Sequence, residues 1–280
     1  MTALRQGLRH PGPPAADRRQ AVPTRLQPLE GDLVAGRVLM DEVARIFDDA
    51  GCMGGVMWLD GVTADPFRYV LPALSTDGVH GAYYSKTHAP SGRVTLGSCV
   101  AVVGWRDGAR FLHCHGEWQM EDGAVAMGHL LPLESRVAKP VSVRGLGAPA
   151  AWFEALPDEE TNFTLFSAAG GGSGGSILLR LRPGEDVVTA IEQVAATHGL
   201  SRGRVHGIGS ICDPVFTDGR QVDCVATEVR VDAGDIVDGI CMLTVSLVDV
   251  EGRVHSGKLI KGENIVGVTF EILVENLEDQ

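Results

Sequence analysis

Residues 55–67, GVMWLDGVTADPF, recur as residues 203–215, GRVHGIGSICDPV, with Gly61, Asp65 and Pro66 falling on Gly209, Asp213 and Pro214 at an offset of 148. Residues 118–130, WQMEDGAVAMGHL, recur as residues 247–259, LVDVEGRVHSGKL, at an offset of 129, with Gly123 on Gly252 and Gly128 on Gly257. Self-similarity of this kind restricts the chain to one supersecondary plan built twice. The first copy carries 19 more residues between its anchors, the difference of the two offsets. That surplus is assigned to a polar, turn-rich stretch at 72–92, where His80, Tyr83, Tyr84, Lys86 and His88 crowd together and Arg93 lies just beyond. Loops of such length are usually functional or mobile.

Within each copy the apolar pattern predicts a helix among strands. Residues 33–50 place Leu39, Met40, Val43, Ile46 and Phe47 on one helical stripe, stopped by Gly51. A second helix is predicted over 185–198, ended by Gly199. Residues 93–107, 111–120 and 124–133 read as consecutive strands, as do the Val/Ile/Phe-rich runs that close the chain. Four segments follow: an arm at 1–30, a first domain at 31–147, a linker at 148–176 and a second domain at 177–280. The arm has five arginines and five prolines, so an extended course is expected. Folded over a site, Arg5, Arg9, Arg18 or Arg19 would offer a guanidinium to a carboxylate. In the linker the pattern lapses at Pro149, Pro157 and the run DEE at 158–160, and the glycine-serine run at 170–176 reads as flexible. It lacks the Lys and Thr of a phosphate-binding loop.

The chemistry concentrates at residues 111–131, FLHCHGEWQMEDGAVAMGHLL. On a strand, His113, His115 and Glu117 share one face, and Cys114, Gly116 and Trp118 the other. The turn then decides where His129 lands. A two-residue Asp122-Gly123 loop would set His129 opposite Gly116, on the wrong face. A three-residue loop with Gly123 in the left-handed region pairs Met120 with Ala124 and His115 with His129, so that three rings converge. Three imidazoles with one vacant position suit a catalytic zinc ion. Glu117 would close the site as a fourth ligand or, held back, take a proton from water or substrate. The plainer reading is an amphipathic hairpin with polar surface histidines. Against it, an offset of 129 carries His113 to Met242, His115 to Thr244, Glu117 to Ser246 and His129 to Lys258. The second copy keeps the glycines that shape the hairpin and lacks every candidate ligand.

A net charge of −12 argues against gripping nucleic acid through a general positive field. Six cysteines without a CxxC pair give neither a zinc ribbon nor a dithiol redox motif. No apolar run reaches the ~18 residues that span a membrane, and the first 30 residues lack a secretory apolar core, so a cytoplasmic protein is expected.

The second half, through LRLRPGEDVVTAIEQVAATHGLSRGRVHGIGSICD and LTVSLVDVEGRVHSGKL, resembles the PPC family, also called DUF296, and the first half resembles it through its HxH, DG and GHL elements. The resemblance implies an α/β (α+β) fold of two tandem PPC-like domains, each a mainly antiparallel sheet with a packed helix. It also implies trimeric assembly as a homo-oligomer and a metal on His113, His115 and His129. The basic AT-hook of the plant members is absent, so the DNA-binding label of the family is not supported by the sequence.

The leading expectation is therefore a metal-dependent enzyme, with one divalent ion, zinc, and a small oxygenated substrate, carboxylic or aromatic, in lyase or hydrolase chemistry. Glu117, Lys86, Tyr84 and His88 are candidates for acid or base. Arg93, Arg9 and Tyr83 are candidates for holding the substrate. The alternative is a non-catalytic, DNA-associated or regulatory PPC-domain protein with a structural metal, whose binding would weaken steeply with salt.

Overall fold

Strand alternation divides the apolar residues of this chain among three cores, and that division sets the architecture. The computed structural model describes residues 7–278; Arg5 lies outside them. The first half runs β1 (Arg19–Thr24), β2 (Gln27–Leu33), α1 (Leu39–Asp49), β3 (Gly54–Trp58), β4 (Thr63–Ala64), β5 (Tyr69–Val70), β6 (Pro72–Leu74), β7 (Ala82–Tyr84), β8 (Val94–Arg106), β9 (Ala109–Met120), β10 (Val125–Leu130) and β11 (Val141–Ala148). A hairpin of β12 (Ala151–Pro157) and β13 (Thr164–Gly170) follows. The second half comprises β14 (Ser176–Leu181), α2 (Val187–Thr197), β15 (Gly203–Cys212), β16 (Glu228–Val237), β17 (Ile240–Val248), β18 (Val254–Lys258) and β19 (Ile265–Asn276). The fold is thus α+β, built on mostly antiparallel sheets with two helices among the described residues.

The first sheet has the order β2-β11-β3-β8-β9-β10, with β5 added beyond β10. The second has the order β14-β19-β15-β16-β17-β18, with β1 added beside β14. Strand for strand these are the same order, and each helix follows the strand that heads it, α1 after β2 and α2 after β14. The register agrees too: His115 pairs with His129, and Thr244 pairs with Lys258, the positions that the offset of 129 equates.

Both helices cover the outer faces of their sheets. Leu39, Met40, Val43, Ile46 and Phe47 of α1 are buried in a first-half core with Leu112, Cys114 and Trp118 of β9. Val187, Ala190, Ile191 and Val194 of α2 are buried in a second-half core with Val229 and Val231 of β16 and with Phe270 and Ile272 of β19. Asp186 caps α2 by accepting from the Thr189 N–H at 2.8 Å. The alternate residues face the other way. Val56, Val100 and Val102 of the first sheet meet Leu178, Ile208 and Leu273 of the second in a third core, shared across the seam. The sheets therefore pack face to face with a helix outside each, and the odd-numbered residues of β9 between Phe111 and Glu117 point into the seam.

Two expected boundaries differ from the structure. The arm is expected to end at 30, but β2 begins at Gln27 and pairs with β11 in the first sheet, while β1 pairs with β14 and extends the second, so the N-terminal segment contributes to both sheets. Its course is extended, as its prolines require. Residues 148–176, expected as a linker, contain the β12–β13 hairpin, and Phe153 and Phe166 supply its anchors to the seam. Pro157 and the acidic run at 158–160 lie at its turn, and Pro149 lies in the bend between β11 and β12. There Asp158, with 2% of its side chain exposed, takes Arg180 at 2.7 Å and Arg182 at 2.5 Å.

This buried group gives a stability prediction. Asp158→Ala leaves the guanidinium of Arg180, 1% exposed, without its anion, and unfolding in urea is expected to show a loss of about 3–5 kcal/mol. Burial raises the Asp158 carboxyl, but the Arg180 guanidinium outweighs it and holds the group at about 2, against its ordinary 3.8. A lowered folded-state value means that the contribution is complete above pH 3.8 and fades as the pH falls toward 2. The variant should accordingly lose this part of the acid-unfolding limb.

Candidate metal centre

The turn between β9 and β10 has the three-residue form. Met120 N–H donates to the Ala124 carbonyl at 2.8 Å, and Gly123 has φ +87°. His115 is consequently opposite His129, and His113 lies two residues along on the same face. The ring of His113 lies 4.6 Å from that of His115 and 4.8 Å from that of His129, centroid to centroid. Glu228 of β16 joins them from the second sheet, and ligand atoms from all four residues lie within 4.8 Å of one another.

The hydrogen bonds at the back of the rings fix what the front presents. His115, fully buried, places Nδ1 2.9 Å from the Val229 carbonyl. A carbonyl only accepts, so Nδ1 carries the proton and Nε2 of the neutral ring presents a lone pair. His113 Nδ1 lies 2.5 Å from the Glu271 carboxylate, which makes the same assignment. The two Nε2 atoms then face each other at 2.9 Å, and a Glu228 oxygen lies 2.6 Å from that of His115. His129 Nδ1 is buried with no hydrogen-bond partner. Electron pairs thus converge on one point, which only a shared cation stabilises. A proton bridges one pair of atoms, whereas a metal ion takes all four donors, so the donor set fits a metal.

The electrostatics distinguish His113, which must give up a proton to serve as a ligand, from His129. Burial lowers the His113 imidazole, but the Glu271 carboxylate outweighs it and leaves its pKa raised. Burial, followed by electrostatic repulsion from the neighbouring His113 and His115 rings, holds His129 well below its ordinary value. His129 therefore stays neutral, as a ligand must.

A cavity adjoins the cluster, walled by Pro72, Ala82, Tyr83, Tyr84, Phe163 and Leu165, with His113, His115 and Glu228 at its end. Leu8 of the arm lines it as well. His10 Nε2 lies 2.7 Å from the Gly267 carbonyl and pins the arm there. The Tyr84 ring is 5.0 Å from that of His129. Although 38% of Tyr84 is exposed, its phenol is raised well above its usual range, by desolvation beside the cluster first and then by the carboxylates of Glu228 and Glu271. Tyr83 stacks on Phe163 at 5.8 Å.

The other candidate residues lie elsewhere. Glu117 shares the histidine face, yet its carboxylate meets Arg230 of β16 at 3.2 Å and stands outside the cluster. His115–Glu228 and Glu117–Arg230 form successive rungs between β9 and β16, so the acid expected beside the metal comes from Glu228 instead. His88 stacks on Tyr69 at 4.8 Å and bridges to it through the backbone, away from the cavity lining. Lys86 and Arg93 are exposed. Arg93 adjoins Val94, which pairs with Met120, five residues or roughly 17 Å along the strand from His115. Arg9 is exposed, with its carbonyl against Gly81, while Arg18 and Arg19 pair with Glu160 and Glu185. Glu228 and Glu271 were missed. Their signal is a carboxylate inside an otherwise strand-like run, ATEVRV and VTFEILV, since a buried charge in a strand needs a partner.

Comparison with known proteins places residues 168–278 in a match to the Plants and Prokaryotes Conserved (PCC) domain, the PPC family of the resemblance. The family model matches the second half alone. No curated protein matches the chain. Among solved structures, a metal-containing protein from Archaeoglobus fulgidus is 18% identical with a TM-score of 0.41, and the match covers 52% of this chain and 97% of that one. A plant- and prokaryote-conserved protein from Pyrococcus horikoshii is also 18% identical, with a TM-score of 0.41, covering 51% and 94%. A candidate DNA-binding protein from Ralstonia eutropha is 15% identical, with a TM-score of 0.34, covering 50% and 89%. No helix among the described residues is long and apolar enough to cross a membrane.

Proposed function

We propose that this chain is a tandem PPC-type protein that binds one divalent metal ion, zinc, and acts as a metal-dependent lyase or hydrolase on a small oxygenated molecule. His113, His115, His129 and Glu228 would hold the ion. One observation carries the reading: hydrogen bonds behind the rings turn two Nε2 lone pairs toward each other at 2.9 Å, with a Glu228 carboxylate oxygen 2.6 Å from one of them. The shared strand order of the two sheets and the matching His115–His129 and Thr244–Lys258 registers support the tandem assignment.

Bound there, such an ion would polarise a substrate oxygen or activate water. The protein supplies the remainder. Val229 and Glu271 orient the imidazoles, and the apolar walls of the cavity exclude water and accept a carbon skeleton, aromatic or aliphatic. Tyr84 holds a proton at its hydroxyl throughout the neutral range and can donate it to a leaving oxygen. Glu117, tied to Arg230, keeps β9 and β16 in register.

A second reading is favoured by the origin of the ligands. Glu228 comes from the second half and the histidines from the first, so an ion held by all four would also fasten the two sheets together. Elemental analysis of protein purified without added metal tests both. Near one ion per chain is expected, with affinity weakened about tenfold or more in Glu228→Gln; absence of metal from the wild-type protein would end both readings. Turnover of small carbonyl or ester acids by the loaded protein separates them, because the fastening role alone produces none.

A further inference from the structure

Beyond Tyr83 and Phe163 a second cavity opens onto the same cluster. His113, His129 and Glu271 line one end, and Phe111, Leu131, Ala155 and Phe166 line its length. Among the described residues, Arg106 is the one lysine or arginine that lines it. Its guanidinium carbon lies 5.3 Å from the Phe111 ring centroid, so the charge sits over the aromatic wall at the open end of the cavity, with 47% of the side chain exposed. Its nearest carboxylate is its own neighbour Asp107, at 3.7 Å and with 91% of that side chain exposed. An ion pair so open to water binds the guanidinium only weakly.

The geometry of the strand places this charge at a useful distance. Arg106 is the cross-strand partner of Ala109, and Ala109, Phe111 and His113 lie on one face of β9. Phe111 is two residues from His113, about 7 Å along the strand, and the guanidinium stands 5.3 Å from its ring. The separation between the guanidinium and the histidine cluster is therefore on the order of 10 Å. The two ends also differ in sign. Glu228 and Glu271 make the histidine end anionic until a divalent cation balances them, whereas the Arg106 end is cationic. Between the ends the wall presents Phe111, Phe163, Leu165 and Phe166 beside the polar His80, Asn162 and Thr164.

We infer that Arg106 anchors the carboxylate of an aromatic acid whose ring lies along Phe111 and Phe166 and whose far oxygen reaches the metal cluster. The inference rests on the metal-centre reading and adds the substrate class and a specificity residue to it. The planar guanidinium suits a carboxylate, and the Phe111 and Phe166 rings suit an aryl group in offset or edge contact. A neutral aromatic compound would use the wall but leave Arg106 unused. An acid without the aromatic spacer would engage Arg106 and fail to reach the cluster.

The test uses zinc-loaded full-length protein and isothermal titration with benzohydroxamate and its 3- and 4-carboxyl derivatives, which share one metal-binding group. In the wild type at least one carboxyl derivative is expected to bind tenfold or more tightly than benzohydroxamate. Arg106→Gln should abolish that gain and leave benzohydroxamate affinity and zinc content unchanged. Equal affinity of all three compounds for the wild type would overturn the inference while leaving the metal centre standing, as would a gain that survives in Arg106→Gln. Failure of the protein to take up zinc, or of benzohydroxamate to bind zinc-loaded protein, would instead defeat the underlying reading and this inference with it.

Discussion

His115→Ala is expected to remove essentially all specifically bound metal, lowering affinity by at least about 100-fold, more than the 10–100-fold typical for losing an outer partner. His115 is fully buried and stands between the Val229 carbonyl and the Glu228 carboxylate. Removing the ring takes away a ligand and also strands Glu228, which is 8% exposed. A buried carboxylate without its partner costs about 3–5 kcal/mol, so the variant should also unfold at lower denaturant concentration. Elemental analysis reads the first effect and urea denaturation the second. Lys258→Ala is the control, since Lys258 occupies the position in the second sheet that His129 occupies in the first and should leave metal content unchanged. Equal metal loss in both variants would contradict a site whose histidine ligands all come from the first-half hairpin.

Tyr84→Phe is expected to lower kcat by about 10²–10⁴-fold, the range for losing a positioned general acid, with metal content kept. The phenol ring packs 5.0 Å from that of His129, and the change deletes one oxygen while retaining this packing. Desolvation beside the cluster and the two nearby carboxylates raise its pKa well above the usual phenol value. The hydroxyl therefore remains protonated through neutral pH, so turnover assigned to it should show no deprotonation limb there. Lys86→Ala and Arg93→Ala, both at exposed positions outside the cavity walls, should leave the same rate within about twofold. A Tyr84→Phe protein with unchanged kcat would move the proton transfer to another group.

The hairpin with its three histidines was legible because its determinants are local. Alternation sets the face, and Gly123, able to adopt φ +87°, sets the register that brings His129 opposite His115. Both helices were legible for the same reason, through an apolar stripe and a terminating glycine. The hairpin at 151–170 was not. Pro157 and the acidic run at 158–160 read as breaks, and their role became visible only with Arg180 and Arg182 across the buried ion pair. A turn inside a protein and a flexible linker have the same composition, and they differ in what packs against them.

The role of Glu117 illustrates the limit most directly. Its side of the strand followed from period two, so placing it with His113 and His115 was sound. Whether it met a metal or a guanidinium depended on β16, more than 100 residues away, where Glu228 faces His115 and Arg230 faces Glu117. The repeated anchors, the face shared by His113 and His115 and the absence of the three candidate ligands from the matching second-half positions were determined by the sequence alone, because each rests on short-range pattern and spacing. The pairing of one sheet face against the other, the carboxylates of Glu228 and Glu271 and the placement of Arg106 over Phe111 were decided by the tertiary structure. Such contacts depend on which surfaces meet when both apolar faces leave water, and a one-dimensional pattern records which face is apolar without recording its partner.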